Sequence, residues 1–219
     1  MGALIQEELT PFLWNLFNKR AGLWKIKTNL IANNKEKSMF EFVSQSLNKT
    51  YDDKKKLKTN TVLYGYLEEG RWHSHLQPPL SIEDIIKLEE ESKRELPAEF
   101  KEFLAFHNGC YLFDILRIAG KDADTYKGLS IEEEGHLAFD LNTMDNIYRR
   151  KRTPTTHFIF ADSIVKNTYY VIDSEKMILE LDVRTKKVIH SYADLKSFLN
   201  EILLEGKRNI TNGIFYEFE

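Results

Sequence analysis

Two histidines, His73 and His75, are the residues whose type and spacing best fit metal binding. Alternate residues of a β-strand point to the same face of a sheet, so both imidazoles could reach one ion. A catalytic zinc site needs a third protein ligand, and the spacing of the neighbouring residues marks none. We therefore interpret the pair as ordinary surface or loop histidines and predict no metal site. A metal-dependent enzyme is the alternative, which metal analysis of the purified protein would test.

Sequence motifs with a known catalytic mechanism are missing. There is no phosphate loop of the G-x-x-x-x-G-K-[ST] or G-x-G-x-x-G type, no G-x-S-x-G elbow and no H-E-x-x-H. His107 ends an apolar helical face, which is typical of a residue at the edge of a core. Cys110 lies among apolar residues, which favours a buried, unreactive thiol. The sequence thus predicts no catalytic residue, no cofactor and no enzymatic activity.

Acidic residues are concentrated in two stretches of the chain. Residues 83–102 contain eight carboxylates against four cations, and a second group lies between residues 122 and 134. Solvated helix surfaces explain part of this charge. The alternative is an acidic docking patch, which would speed the encounter with a basic protein such as a nuclease and give partner specificity. The candidate partner-binding residues are Asp122, Asp124, Glu132, Glu133 and Glu134.

The chain of 219 residues carries a formal net charge of −3 at pH 7, which removes the general electrostatic case for binding duplex DNA. Its apolar runs are far shorter than the roughly 20 residues that span a bilayer. A single cysteine cannot form an internal disulfide, and residues 1–8 lack the features of an export signal. We expect a cytoplasmic protein that contacts neither nucleic acid nor membrane. The oligomeric state stays open.

The charge balance predicts two parts. Residues 1–79 have a balance of +4 and residues 80–219 a balance of −7, and Gln77-Pro78-Pro79 lies between them. Two successive prolines favour an extended connector. We predict an N-terminal, mainly helical extension over residues 1–79, followed by a second domain over residues 80–219.

Hydrophobic periodicity and capping residues predict the elements that position these groups. Helices are expected to start at Thr10-Pro11, at the capping box Ser38–Glu41, at Ser81, near Pro97 and at Ser191–Asp194. The helix that starts near Pro97 is expected to end at Asn108-Gly109, and the last helix is expected to end at Gly206. Strands are expected at 61–67, 111–118, 158–161, 168–172, 177–182 and 187–190, with residues 183–186 as a hairpin turn and Ile214–Phe218 as an edge strand. Helices, then antiparallel strands, then a helix predict an α+β fold.

Residues 80–205 resemble the SUKH superfamily, the Smi/Knr-like proteins. The resemblance rests on ordered motifs: Ile85–Glu89, Leu96-Pro97, Glu99–Leu104, His107–Gly109, Phe160–Asp162, Tyr169–Asp173 and Tyr192–Leu199. It implies a curved antiparallel sheet flanked by helices, and it implies no catalysis. Many members have a Gly-Asp step before the Tyr-rich strand, where this chain has Lys166, Asn167 and Thr168.

The resemblance also implies a function. Bacterial members act as immunity proteins that bind a cognate toxin, often a nuclease, whereas eukaryotic relatives are interaction and regulatory modules. Our leading hypothesis is a cytoplasmic immunity protein, or antitoxin, whose carboxylates mimic nucleic acid and block the basic cleft of a nuclease toxin. The alternative is a non-catalytic regulatory or scaffold module unconnected with toxins.

Overall fold

Nine strands form one antiparallel sheet in the computed structural model, which describes residues 39–149 and 154–216. The strands are β1 (Lys54–Lys56), β2 (Val62–Glu68), β3 (Arg71–Leu76), β4 (Cys110–Leu112), β5 (Leu116–Ile118), β6 (Phe158–Ser163), β7 (Thr168–Ile172), β8 (Ile178–Asp182) and β9 (Val188–Tyr192). The helices of these ranges are α1 (Glu41–Thr50), α2 (Ile82–Ser92), α3 (Ala98–Leu104), α4 (Ile131–Gly135), α5 (Leu141–Tyr148) and α6 (Leu195–Thr211). Each strand pairs with its neighbours in sequence, which confirms the predicted α+β class with an antiparallel sheet flanked by helices.

One face of the sheet packs against α3 and α6. The ring of Phe198 in α6 lies 4.8 Å from Tyr170 and 6.0 Å from Phe160, centroid to centroid. Phe100 of α3 lies 5.8 Å from Phe160, so one strand residue joins both helices. Aromatic rings in offset or edge contact add to the free energy gained from burying their surface.

The opposite face is covered by α5. Tyr169 points away from its neighbour Tyr170, as successive strand residues do, and stacks on Tyr148 of α5 with centroids 5.1 Å apart. Every residue of β6 and β7 is buried, since helices lie on both sides of them. The edge strand β1 is three exposed lysines, which discourage pairing with another chain.

The predicted boundary after residue 79 is wrong for residues 40–79. Strand β3 precedes Gln77-Pro78-Pro79 and pairs with β4 beyond it, with His75 opposite Tyr111, and the described residues from Phe40 onwards form one compact unit. Residues 40–79 are also not mainly helical, because they form one helix and three strands of the common sheet. The prediction for residues 1–38 lies outside the described residues.

Two predicted local features differ in the structure. The strand predicted at 111–118 is a hairpin, because Phe113 and Asp114 adopt positive φ angles of 57° and 60° and reverse the chain between β4 and β5. The edge strand predicted from Ile214 is not formed by residues 214–216. The predicted hairpin between β8 and β9 is confirmed.

The sequence predicts that Gly206 ends α6, but the structure places this residue inside the helix. Gly206 is buried there against the ring of Phe113. An ideal Cβ at this position would overlap that ring. We expect Gly206→Ala to lower the free energy of unfolding by about 1–3 kcal/mol, because overpacking outweighs the gain of about 1 kcal/mol in helix propensity. Urea denaturation followed by circular dichroism measures the change.

Gly135 in α4 provides the matched control, since a Cβ there meets nothing within 4 Å. Gly135→Ala should therefore be neutral or slightly stabilising. Equal effects of the two substitutions would contradict the close approach of α6 to Phe113.

Candidate partner-binding cleft

A cleft of about 600 Å³ opens on the α5 side of the sheet. Its floor contains His75 of β3, Tyr111 of β4 and Arg117 of β5. These residues lie directly opposite one another in the strand ladder, so their side chains share one face. The order β3–β4–β5 thus brings together groups that are up to 42 residues apart in sequence.

One wall of the cleft is formed by residues 121–139, which we call the cover segment. It is closed at its base, where the Gly120 amide donates to the Phe139 carbonyl and the Leu141 amide donates to the Gly120 carbonyl. The Gln77 side chain donates a hydrogen bond of 2.6 Å to the carbonyl of His136. These bonds hold the cover segment against β3 and define the width of the cleft.

Both arginines of the cleft are neutralised by carboxylates of the same protein. Arg117 donates from Nε and Nη2 to Asp162, at 3.0 and 2.7 Å, and Asp162 is fully buried. Arg71 donates to Asp114 at 3.2 Å and also to the carbonyl of Tyr216. The positive charge of the floor is therefore already compensated.

The mouth of the cleft is negatively charged. Two arginines and five carboxylates line the cleft, so its formal charge is −3. One of the five, Asp114, belongs to the floor. We call the other four the acidic rim: Glu68, Asp122, Glu134 and Asp140. Low-dielectric walls focus such a field towards the opening and attract cationic groups.

The structure divides the predicted acidic patch. Asp122 and Glu134 line the cleft. Asp124 is paired with Lys87 and Lys121, at 3.2 and 2.8 Å, outside it.

The two remaining members of the patch are engaged in the fold. Glu132 forms an ion pair of 2.6 Å with Lys55 of β1. Glu133 forms the capping box of α4 with Ser130, whose hydrogen bonds lower the pKa of the Glu133 carboxyl. Of the predicted patch, Asp122 and Glu134 are thus the members available to a ligand in the cleft.

The two histidines of the metal hypothesis have different surroundings. His73 accepts or donates a 2.7 Å hydrogen bond with the Tyr51 hydroxyl, while the His75 ring stacks on Tyr111 and meets His136 edge-on. Burial, together with repulsion from His136, lowers the pKa of His75 to about 3, so this imidazole is neutral at physiological pH. Among residues 39–149 and 154–216, no three His, Cys, Asp or Glu side chains converge to hold a metal ion.

Cys110 lies at the back of the cleft, and burial raises the pKa of its thiol, which keeps the thiolate scarce. No helix within the described ranges has the length and apolar character needed to cross a bilayer. The cleft offers binding groups, namely carboxylates and rings, at its mouth and neutralised charges at its floor.

Most residues of the cleft are not predicted from the sequence. No motif marks these residues, because single residues on four strands and at the N-cap of α5 have no mutual spacing to detect: Glu68, Arg71, Tyr111, Arg117 and Asp140. No local sequence signal marks Arg117, because its pairing with Asp162, the acid of the Phe160–Asp162 motif, is set by the register of the sheet.

A protein-family model matches most of the region that forms the cleft. Residues 79–201 match the model of the SMI1 / KNR4 family (SUKH-1), which is more than half of the chain. A search of curated proteins gave no match. The matched span includes β4, β5 and the cover segment, whereas the wall formed by the end of β2 and by β3 precedes it.

Proposed function

The chain belongs to the SMI1 / KNR4 family (SUKH-1), and from this we propose that it is an immunity protein, which binds a protein toxin in the cytoplasm of the producing cell and neutralises it. The family includes toxin immunity proteins. In this proposal the chain covers the reactive region of the toxin and catalyses nothing itself.

The acid-lined cleft is the observation that carries this proposal. A toxin that acts on nucleic acid must present a basic surface to its substrate, and a net charge of −3 in the cleft complements such a surface. Complementary charge speeds diffusional encounter and disfavours partners of the wrong charge. A basic nuclease domain is therefore the partner that fits best.

The direct test is co-expression with candidate toxin domains, beginning with any that a neighbouring gene encodes. Survival of the host and recovery of a complex on purification are the expected results. Failure of the toxin to bind or to be inactivated would overturn the proposal. A partner that binds without being inactivated would favour the alternative, a non-catalytic regulatory or scaffold module.

Charge reversal at Glu134 tests the role of the cleft in this complex. We expect Glu134→Lys to slow association by about tenfold at low ionic strength and to weaken its salt dependence, because steering by the cleft is reduced. Surface plasmon resonance at several salt concentrations measures both. Glu134 is preferred to Glu132 and Glu133, whose reversal would break an ion pair or a helix cap.

Glu175→Lys is the matched control, since Glu175 is an exposed carboxylate in the turn between β7 and β8, outside the cleft. It should leave the association rate within about twofold of the unmodified protein, because an equal charge change acts from a different surface. Equal slowing by both variants would show a net-charge effect and would move the interface away from the cleft.

A further inference from the structure

We propose that the cleft recognises an arginine side chain, which a loop of the partner inserts between the acidic rim and the aromatic rings of the mouth. This inference rests on the proposed function in one respect, namely that the partner is a protein. It names the group that the cleft selects, and it can be tested without the toxin.

Within the described part of the chain, the acidic rim has hydrogen-bond acceptors that no donor uses. No described residue donates a hydrogen bond to the carboxylate of Glu134, which is exposed. Asp140 accepts from Thr143 through Oδ1, and no donor from the described ranges reaches its Oδ2. Asp122 uses one lone pair of each oxygen, for the Ala123 amide and the Tyr126 hydroxyl. Carboxylates with free lone pairs are the natural acceptors of a guanidinium, which presents five N–H donors.

The floor carries a further polar group that has no partner among the described residues. Nδ1 of His75 is buried, and no described residue forms a hydrogen bond with it. The imidazole is neutral, because burial lowers its pKa, so it does not repel a cation that enters the cleft. An unsatisfied buried polar atom costs free energy, and this observation is independent of the acidic rim.

Aromatic rings stand beside the carboxylates. Tyr126 is 49% exposed at the mouth, and Trp72 and Phe139 line the walls. The cleft already holds one stacked guanidinium, since Cζ of Arg117 lies 3.7 Å from the centroid of the Phe139 ring. Rings of this kind attract a cation through their quadrupole and are worth about 0.5–2 kcal/mol per contact.

These features favour arginine over lysine. A guanidinium is planar, weakly hydrated and able to pair with a carboxylate through two parallel hydrogen bonds while it stacks on a ring. An ammonium is a strongly hydrated point charge and gains nothing from a flat ring beside it beyond charge attraction. A cleft of about 600 Å³ also has room for the loop residues that flank the inserted side chain.

The probes are three blocked tripeptides, acetyl-Gly-X-Gly-amide, in which X is arginine, lysine or citrulline. Each is titrated into the full chain, and binding is followed by amide chemical shifts and by the indole N–H signal of Trp72. We expect the arginine peptide to bind at least about threefold more tightly than the lysine peptide, and the citrulline peptide to show no saturable binding. The shifts should map to β3–β5 and the cover segment.

Two variants test whether the arginine peptide binds in the cleft. Glu134→Gln should weaken binding of the arginine peptide by at least about threefold, because it removes one charge and leaves the shape unchanged. Glu175→Gln, an exposed control outside the cleft, should leave it unchanged. Absence of binding, equal binding of citrulline, or shifts confined to other surfaces would each overturn the inference.

The two proposals fail separately. Arginine-selective binding with no neutralisation of any candidate toxin would remove the immunity function and leave the arginine site standing. Neutralisation of a toxin with no arginine selectivity in the peptide titration would remove the arginine site and leave the immunity function standing.

Discussion

The Asp162→Ala substitution is expected to lower the free energy of unfolding by about 3–5 kcal/mol, a large part of the roughly 5–15 kcal/mol that keeps a domain folded. Asp162 is fully buried and accepts two hydrogen bonds from Arg117 and one of 2.7 Å from the Tyr148 hydroxyl. Alanine leaves the buried Tyr148 hydroxyl without its acceptor, and it leaves the Arg117 guanidinium, whose side chain is 25% exposed at the cleft floor, without its counter-charge. Urea denaturation at pH 7, followed by circular dichroism, measures the loss.

Asp124→Ala is the matched control for this experiment. Asp124 is exposed and paired with Lys87 and Lys121, and exposed pairs of this kind contribute about 0–1 kcal/mol. Replacing Arg117 by Met in the Asp162→Ala background should restore part of the lost stability, since it removes the uncompensated charge. A loss for Asp162→Ala no larger than that for Asp124→Ala would contradict the central role of this pair.

The same pair links stability to the cleft. Arg117 lies on the floor of the cleft, and its guanidinium is fixed by Asp162 behind it and by the ring of Phe139 beside it. The strand order places Arg117 opposite Asp162 and Tyr111, so the register of the sheet, and not a local motif, positions the floor.

Hydrophobic pattern was sufficient for many of the elements that bury side chains, although α5, which buries Leu141, Met144 and Tyr148, was not predicted. Strands β6 to β8 were predicted close to their observed bounds, since runs such as Phe158–Ala161 and Thr168–Ile172 are apolar or β-branched and bounded by turn residues. The start of α2 was also predictable, because Ser81 accepts a hydrogen bond from the Asp84 amide as a capping residue should.

An element without a buried face also escaped prediction. Strand β1 is three lysines, and an exposed edge strand carries no apolar signal. The capping motif before α6 marked the right region, yet the observed cap is Asp194, three residues after Ser191. The stop predicted at Gly206 failed because glycine can also serve close approach to a ring, here that of Phe113, which sequence spacing does not reveal.

The acidic site was predictable in sign and region but not in detail. Composition shows a surplus of carboxylates between residues 122 and 134, and two of the five predicted residues line the cleft. The others are taken up by partners far away in sequence, such as Lys55 for Glu132, or by a helix cap. Which carboxylates stay available depends on tertiary contacts, and these are not encoded in local spacing.

Acidification from pH 7 to pH 5 is expected to destabilise the protein by about 2 kcal/mol through His107 alone. The side chain of His107 is 8% exposed beside the Phe103 ring, and burial lowers its pKa from 6.5 to about 4. The unfolded chain therefore takes up a proton before the folded protein does. Stability is complete above pH 6.5, falls between pH 6.5 and pH 4 by about 3 kcal/mol in total, and is constant for this group below pH 4.

Urea denaturation at half-unit steps between pH 7 and pH 4.5 measures this slope in the unmodified protein and in His107→Leu. Carboxylates with a lowered pKa, such as Asp145 and Asp194, lose their contribution to the free energy of unfolding only below their ordinary pKa of 3.8. They therefore do not affect the slope between pH 7 and pH 4.5. His75 adds to the same slope, since its pKa of about 3 is also below the unfolded value. His107→Leu should accordingly reduce the slope without abolishing it, whereas His190→Gln on the exposed strand β9 should leave it unchanged. An identical slope in all three proteins would show that His107 is solvated or already charged in the folded state.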